Sequence, residues 1–159
     1  MKISICCVGK VKESYFRGAI EEYSKRLGRY CRLEFLVVAV CISPVGACAA
    51  EEVALNLTVG DRRLSLIIED AYVIALAIDG KKLDSVELSD KIAGLGINGV
   101  SHIQFVIGGS LGLHESVLKR ADFKLSFSDM TFPHQLMRVI LLEQIYRSYR
   151  IINNEPYHK

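Results

Sequence analysis

The residues of this sequence that could do chemistry lie in three segments of its second half. The first is a glycine-rich run at 108–112, GGSLG, which directly follows an apolar stretch. Glycines let a backbone approach a ligand closely. The spacing matches neither the dinucleotide fingerprint nor the phosphate-binding loop. The run therefore predicts either a tight strand-to-helix turn or a loop that holds an adenine or a ribose through backbone groups.

The second segment, FSDMTFPHQ at 127–135, leads into a helix. Pro133 suits the first turn of a helix, where its missing N–H costs nothing. His134 and Arg138 are one turn apart and share a face. Helix capping explains neither of them. His134 can be a structural histidine or a site residue, and the sequence leaves both readings open.

The third segment is the end of the chain, Tyr157-His158-Lys159. Chain ends usually fray, yet these three side chains offer stacking, a proton acceptor and a phosphate contact. Basic residues also occur in pairs, and solvated surface is the default interpretation of each pair. Together with the tail they could form a modest RNA-binding surface. The pairs are Lys10/Lys12, Arg62-Arg63, Lys81-Lys82 and Lys119-Arg120.

Composition limits the class of protein. The chain has 159 residues, of which 50% are hydrophobic, and a net charge of +2. These values favour one globular domain over a disordered chain or a strongly basic nucleic-acid binder. Five cysteines without a CxxC spacing predict buried thiols in a reducing cytosol, with no disulfide framework and no metal site. The absence of an apolar run of about 18 residues predicts no membrane span.

The elements that must position these segments follow from hydrophobic periodicity. Strands are predicted at 2–8, 31–40, 72–78, 102–107 and 123–127. Helices are predicted at 13–29, 85–95, 114–121 and from about 133 to 152, with a loop at 41–48 and a short helix at 49–59. The dipeptide Asp79-Gly80 is a turn signal and predicts that the third strand stops there.

Alternating strands and helices predict an α/β fold with a mostly parallel sheet and helices on both faces. Ligands bind such sheets beyond the carboxyl ends of the strands. That rule singles out residues 76–80, 107–112 and 127–133.

The terminal helix carries apolar residues around most of its circumference. A helix of this kind must be buried on two sides. One side can meet the sheet, and a second copy of the chain is the simplest partner for the other, which predicts a homodimer. The apolar residues are Leu136, Met137, Val139, Ile140, Leu141, Leu142, Ile145, Tyr146, Tyr149, Ile151 and Ile152.

Together these segments resemble the ribosomal RNA large subunit methyltransferase H family, within the SPOUT (α/β-knot) methyltransferases. The matching pieces span nearly the whole chain, and the run from 105 to 147 with the tail is the most specific. They are Val8-Gly9-Lys10 with Lys12, 23–26, Gly80-Lys81, 105–113, 125–128, 130–135 with Arg138, Glu143-Gln144 with Tyr146-Arg147, and Tyr157-His158-Lys159.

The resemblance implies a single SPOUT methyltransferase domain over residues 1–159, with a trefoil knot across about 103–155. It implies a cytoplasmic homodimer with active sites at the dimer interface and S-adenosylmethionine bound in the knot. The implied reaction is methylation of N3 of a pseudouridine in a stem-loop of 23S rRNA on the assembled ribosome. The implied cofactor contacts are Leu76, Gly108, Phe127, Ser128, Asp129, Met130, Thr131 and Phe132.

An imide N3–H is a poor nucleophile until its proton leaves, so the reaction needs a base or a cation that stabilises the developing anion. We assign the role of general base or proton relay to His158. Tyr157 would stack on or hydrogen-bond the target nucleobase. Arg138 would face the developing anion or a phosphate. The tail could serve its own active site or the partner's, and the sequence leaves this open.

Three other functions compete with this one. A non-catalytic nucleotide-binding regulator on the same fold is suggested by residues 41–60 and Ala77, which depart from the family pattern. A methyltransferase of another RNA, such as tRNA, would keep the fold, although no basic RNA-binding extension is present. A thiol hydrolase would need a placed Cys–His pair, which the sequence does not show.

Overall fold

The computed structural model describes residues 1–38, 67–109 and 112–158. Within these ranges the strands are β1 (Lys2–Val8), β2 (Arg32–Val38), β3 (Tyr72–Lys82), β4 (His102–Ile107) and β5 (Phe123–Ser126). The helices are α1 (Ser14–Leu27), α2 (Ser85–Ile97), α3 (Glu115–Arg120) and α4 (His134–Ile152). This order confirms the predicted alternation of strands and helices. The predicted loop at 41–48 and helix at 49–59 lie outside the described residues.

The five strands form one sheet in the order β2-β1-β4-β3-β5, and every neighbouring pair is parallel. In this register Ile5 of β1 lies between Phe35 of β2 and Phe105 of β4. Parallel pairing places the carboxyl ends of all five strands along one edge. The structure therefore confirms the predicted α/β class.

Alternate residues of the strands are buried on opposite faces of the sheet. Ile3 and Ile5 join the larger core, which also contains residues of α1, α2 and α4. Cys6 joins a smaller core with Val106 and Val117 of α3. Helices thus cover both faces, as the sequence predicts.

The cysteines that the structure describes lie in the interior. Cys6, Cys7 and Cys31 are all buried, which confirms the prediction of buried thiols for these three. Cys41 and Cys48 lie outside the described residues. No helix among the described residues combines the length and apolarity that a membrane span requires.

Strand β3 does not stop at Asp79-Gly80, so that prediction was wrong. Leu76 and Lys81 both pair with Leu125 of β5, and residues 77–80 leave the ladder between them. A Cβ at Gly80 would lie 2.8 Å from the main chain of Lys124 and Leu125. The glycine therefore lets β3 pass close to β5. The turn signal marks an excursion within the strand rather than its end.

Helix α4 lies against the larger core and contacts both α1 and α2. Leu141, Leu142 and Ile145 are fully buried within one chain, whereas Leu136 and Val139 stay half-buried. Most of the apolar circumference is thus covered without a second copy. The homodimer stays a prediction, as does the knotted path of residues 103–155.

Replacing Ile145 by Ala should lower the free energy of unfolding by about 2–5 kcal/mol, because it leaves a cavity in a core where this side chain is 0% exposed. Ile97, which is 85% exposed, is the matched control, and its change to Ala should alter stability by about 0.5 kcal/mol or less. Urea unfolding followed by circular dichroism measures both. Equal losses would contradict the described packing of α4.

Candidate functional site

A cavity of about 340 Å³ opens at the carboxyl ends of β3, β4 and β5. Its walls come from the excursion of β3 at 77–79, the segments that follow β4 and β5, and the first turn of α4. This is the edge where the strand-end rule predicts a ligand, and the volume lies in the usual range for small-molecule sites. Among the described residues, no cluster of His, Cys, Asp and Glu could hold a metal ion.

Seven of the eight residues predicted to contact a cofactor line this cavity. They are Leu76, Gly108, Phe127, Ser128, Met130, Thr131 and Phe132. The eighth, Asp129, is not part of the lining, and its carboxylate forms an ion pair with Lys82 instead. The structure thus brings together segments that are about fifty residues apart in sequence.

Three glycines of the run after β4, Gly108, Gly109 and Gly112, approach one another closely and line the cavity. The N–H of Gly112 donates to the carbonyl oxygen of Gly109 at 3.0 Å, and Gly112 has a positive φ of 78°. A Cβ at Gly108 would lie 2.8 Å from the carbonyl carbon of Gly112. The close approach agrees with the predicted tight turn, and a loop that holds a ligand through its backbone stays a prediction.

Serine side chains hold the segment after β5. The Oγ of Ser128 accepts a hydrogen bond from the N–H of Met130 at 3.0 Å, and the Oγ of Ser126 donates to the carbonyl oxygen of Ser128 at 3.2 Å. These bonds fix a local turn. They leave the side chain of Met130, 73% exposed, in the lining of the cavity.

Asp79 and His134 are the titratable side chains in the lining. Burial lowers the pKa of His134, and the nearby Arg138 cation lowers it further, whereas Glu13 opposes the shift. The imidazole is therefore neutral at neutral pH and can accept a proton. From sequence alone the role of His134 stays open and Asp79 has no assigned role, although the strand-end rule covers position 79.

Arg138 is buried, with 3% of its surface exposed. Its Nη2 donates to the carbonyl oxygens of Val8 and Gly9, the second at 2.7 Å. Arg138 is not part of the cavity lining. Within one chain its guanidinium therefore fastens the carboxyl end of β1 to the first turns of α4.

The predicted catalytic tail is docked on α4. The hydroxyl of Tyr157 donates to Oε1 of Glu143 at 3.2 Å, and the Arg147 guanidinium lies 4.8 Å from the centre of the Tyr157 ring. Nη1 of Arg147 lies 3.3 Å from Nδ1 of His158. Because a guanidinium only donates, Nδ1 of His158 is the acceptor in this contact.

Burial is the first cause that raises the pKa of Tyr157 to about 12, and Tyr23 and Glu143 add to it. The hydroxyl therefore stays protonated at neutral pH and acts as a donor. Glu143 accepts from Arg147 as well, through Nη2 at 2.6 Å and Nε at 3.1 Å. One carboxylate thus holds both the ring and the cation that covers it.

The described part of the tail, through His158, does not line the cavity of its own chain. Met137 lies in the cavity lining of α4, and Glu143 lies about 9 Å further along the helix axis. Tyr157 and His158 contact α4 at Glu143, Tyr146 and Arg147. The structure therefore brings the predicted cofactor residues together and keeps the predicted catalytic tail apart from them.

A second contact anchors the tail to the loop that follows α1 and to the end of α4. The carboxylate of Glu155 accepts from the hydroxyl of Tyr30 at 2.5 Å and from Nη2 of Arg29 at 3.2 Å, and it forms an ion pair with Arg150. The hydrogen bond from Tyr30 lowers the pKa of Glu155, and the two arginine cations lower it further.

Because the folded-state pKa of Glu155 is depressed, its anchoring is complete above the ordinary glutamate value and is lost as the pH falls below about 4.3. NMR chemical shifts of the amides of Glu155, Tyr157 and His158 should report the loss of this anchor in that range. In Glu155→Gln this pH-dependent change should be absent, because the titrating carboxylate is gone. Glu22→Gln, which removes an exposed ion pair with Arg26, is the control and should titrate like the parent. The same pH-dependent change in Glu155→Gln would contradict this anchor.

Known proteins resemble the chain over its full length. A family model described as predicted SPOUT methyltransferase matches residues 1–158. The chain is 60% identical over 159 residues to ribosomal RNA large subunit methyltransferase H of Bifidobacterium adolescentis, with 100% of both chains covered. It is 54% identical, with the same coverage, to the protein of that name from Clostridium novyi.

Two solved structures share the fold. A probable methylase family protein from Haemophilus influenzae superposes with a TM-score of 0.57 at 15% identity, over 99% of this chain and 70% of that one. The tRNA (m1G37) methyltransferase from Aquifex aeolicus gives a TM-score of 0.51 at 16% identity, over 92% and 70%. The full-length family match and the close relatives confirm the resemblance: the chain belongs to the SPOUT methyltransferases, in the ribosomal RNA large subunit methyltransferase H family.

Proposed function

We propose that this protein is an S-adenosylmethionine-dependent methyltransferase that modifies N3 of a pseudouridine in 23S rRNA on the assembled ribosome. The observation that carries the proposal is the cavity at the strand ends, lined by seven residues that the family resemblance assigns to the cofactor. The names of the two close relatives support ribosomal RNA as the substrate. Action on ribosomes would place the protein in the cytoplasm.

The chemistry of the lining fits S-adenosylmethionine. Leu76, Leu113 and Phe127 offer apolar surface for the adenine and the thioether chain, and Asp79 offers a carboxylate to a cationic ligand. The main chain of the glycine turn at Gly108 offers close polar contacts. When bound, the cofactor supplies a methyl group made electrophilic by a sulfonium. The chain's own residues must position the acceptor nitrogen and remove its proton.

His158 is the base or proton relay in this proposal, Tyr157 stacks on or hydrogen-bonds the target base, and Arg138 faces the developing anion or a phosphate. For Tyr157, a protonated hydroxyl suits donation to a base carbonyl. For Arg138, the carbonyls of Val8 and Gly9 already occupy Nη2, so this role requires its remaining donors or a rearrangement of β1.

We place the tail at the cavity of a partner subunit, because in one chain it lies beyond reach of its own cavity. In a homodimer in which each chain places its tail at the cavity of the other chain, both sites would be complete. Exposed apolar side chains at the cavity support such an interface: Ile78 is 59% exposed and Met130 is 73% exposed, and both line the cavity.

Titration calorimetry with S-adenosylmethionine tests the pocket. The parent should bind saturably, and Gly108→Ala should weaken binding at least tenfold, because its Cβ would force the main chain of Gly112 to move. Gly94→Ala in α2, where a Cβ meets nothing within 4 Å, is the matched control. Circular dichroism confirms that each variant is folded. Equal affinity in folded Gly108→Ala would place the cofactor elsewhere.

A mixed dimer tests the exchange of tails. Chains truncated after Asn154 should keep cofactor binding and lose methylation of ribosomes, and Gly108→Ala chains should lose both. Refolding the two together should restore roughly a quarter of the parent rate, because half of the dimers are mixed and each has one complete site. No recovery, despite mixed dimers in native mass spectrometry, would place each tail at its own cavity.

A further inference from the structure

The loop after β1 presents two lysines and a tyrosine to solvent. Lys10 and Lys12 are exposed, and Tyr15, at the start of α1, is 68% exposed. We name these three residues the β1 surface. Neither core contains any of them, so folding alone does not explain this combination of charge and aromatic area.

Contacts with α4 hold the β1 surface beside the cavity. The backbone N–H of Lys12 donates to Oε1 of Gln135 at 3.2 Å, and Arg138 binds the carbonyls of Val8 and Gly9. Gln135 directly follows His134, which lines the cavity. The main chain around the two lysines is thus held at the start of α4, whose first residue, His134, lines the cavity.

The charge of the β1 surface is not neutralised within the described residues. Some other basic side chains are paired: Lys2 with Glu34, Lys82 with Asp129, Lys119 with Glu115, and Arg120 with Asp122. Lys10 and Lys12 have no ion pair in the part of the chain that the structure describes. The nearest acidic residue in sequence, Glu13, turns Oε2 into a buried position. Within the described residues, the charges of Lys10 and Lys12 are therefore open to an anionic ligand.

The ring of Tyr15 packs against the neighbouring aromatic ring of Phe16. It lies 4.5 Å from the ring of Phe16, with the planes at 57°, and Phe16 is half-buried. One turn further along α1, Gly18 leaves open space. An exposed aromatic ring on a fixed base is the arrangement that proteins use to stack unpaired nucleobases, with lysines on the neighbouring phosphates.

We propose that the β1 surface binds the substrate RNA. Lys10 and Lys12 contact phosphates that flank the target nucleotide, and Tyr15 stacks on an unpaired base next to it. This inference rests on the proposed function, from which it takes an RNA substrate. A second copy of the chain fits less well, because a two-fold contact through this surface would bring four lysines together.

The test compares Lys10→Gln/Lys12→Gln, Tyr15→Ala and Tyr15→Phe with Lys2→Gln, a lysine at the amino end of β1 that is paired with Glu34. Methylation of unmodified ribosomes gives KM at several salt concentrations. The double variant should raise KM at least roughly tenfold and lower the slope of log KM against log salt by about 1.5. Tyr15→Ala should raise KM roughly 5- to 150-fold, and Tyr15→Phe should keep the KM of the parent. Lys2→Gln should match the parent.

Three results would overturn the proposal. The first is an unchanged KM and salt slope in the double variant. The second is a loss of cofactor affinity by the double variant or by Tyr15→Ala in calorimetry, which would assign these residues to the pocket. The third is that either variant no longer forms the oligomer of the parent in sedimentation, which would assign these residues to a protein interface.

Failure of the proposed function is distinguishable from these results. If the parent does not methylate ribosomes, fluorescence anisotropy with a labelled 23S rRNA stem-loop still compares RNA affinity. Weaker binding by the double variant and by Tyr15→Ala, with Lys2→Gln unchanged, would then support the surface without the reaction. Equal binding by all four variants would overturn it.

Discussion

Parallel pairing of the strands determines where this protein can bind a ligand. Because β1, β3, β4 and β5 all run the same way, their carboxyl ends share one edge. Every polar or glycine-rich segment that follows a strand is delivered to that edge. The cavity occupies the ends of β3, β4 and β5, and the loop after β1 lies beside it. Arg138 then fixes the distance between that loop and α4. The proposed cofactor pocket and RNA surface are two parts of one edge. The pairing of β1 with β4 fixes their relative position.

The position of the tail is set by side-chain contacts rather than by the sheet. Chain ends usually stay mobile because ordering them costs conformational entropy. Here Glu143 and Glu155 each gather several donors, and the aromatic rings of Tyr146 and Tyr157 meet edge to face with centroids 5.0 Å apart. These contacts offset the ordering cost and turn residues 155–158 into part of the surface of α4. Residues proposed for catalysis are thus held in a defined place, although that place is remote from the cavity of the same chain.

Hydrophobic periodicity was sufficient to predict the strands and helices that the structure describes, because each buries a continuous apolar face. The strand-end rule then located the cavity. The individual cofactor residues came from the family resemblance, which no periodicity could replace. The excursion of β3 was missed because Asp79-Gly80 is a local turn signal, whereas the pairing of Lys81 with Leu125 is a long-range contact. The same reason hid the role of Arg138, whose partners precede it by about 130 residues. Seen from α4 alone, it is only a cation on a helix face.

The excursion of β3 also links ligand binding to the cohesion of the sheet. Strand β5 has four residues and, within the described sheet, only β3 as a neighbour. The ladder between them is interrupted where residues 77–80 bulge outward. The cavity walls include both sides of this gap, namely Ile78 on β3 and Leu125 on β5. A ligand that fills the cavity therefore contacts both strands at the interruption of their ladder. Its binding free energy adds to the stability of the folded state in proportion to the logarithm of ligand concentration above saturation, so the occupied protein holds its β5 edge more firmly than the empty one.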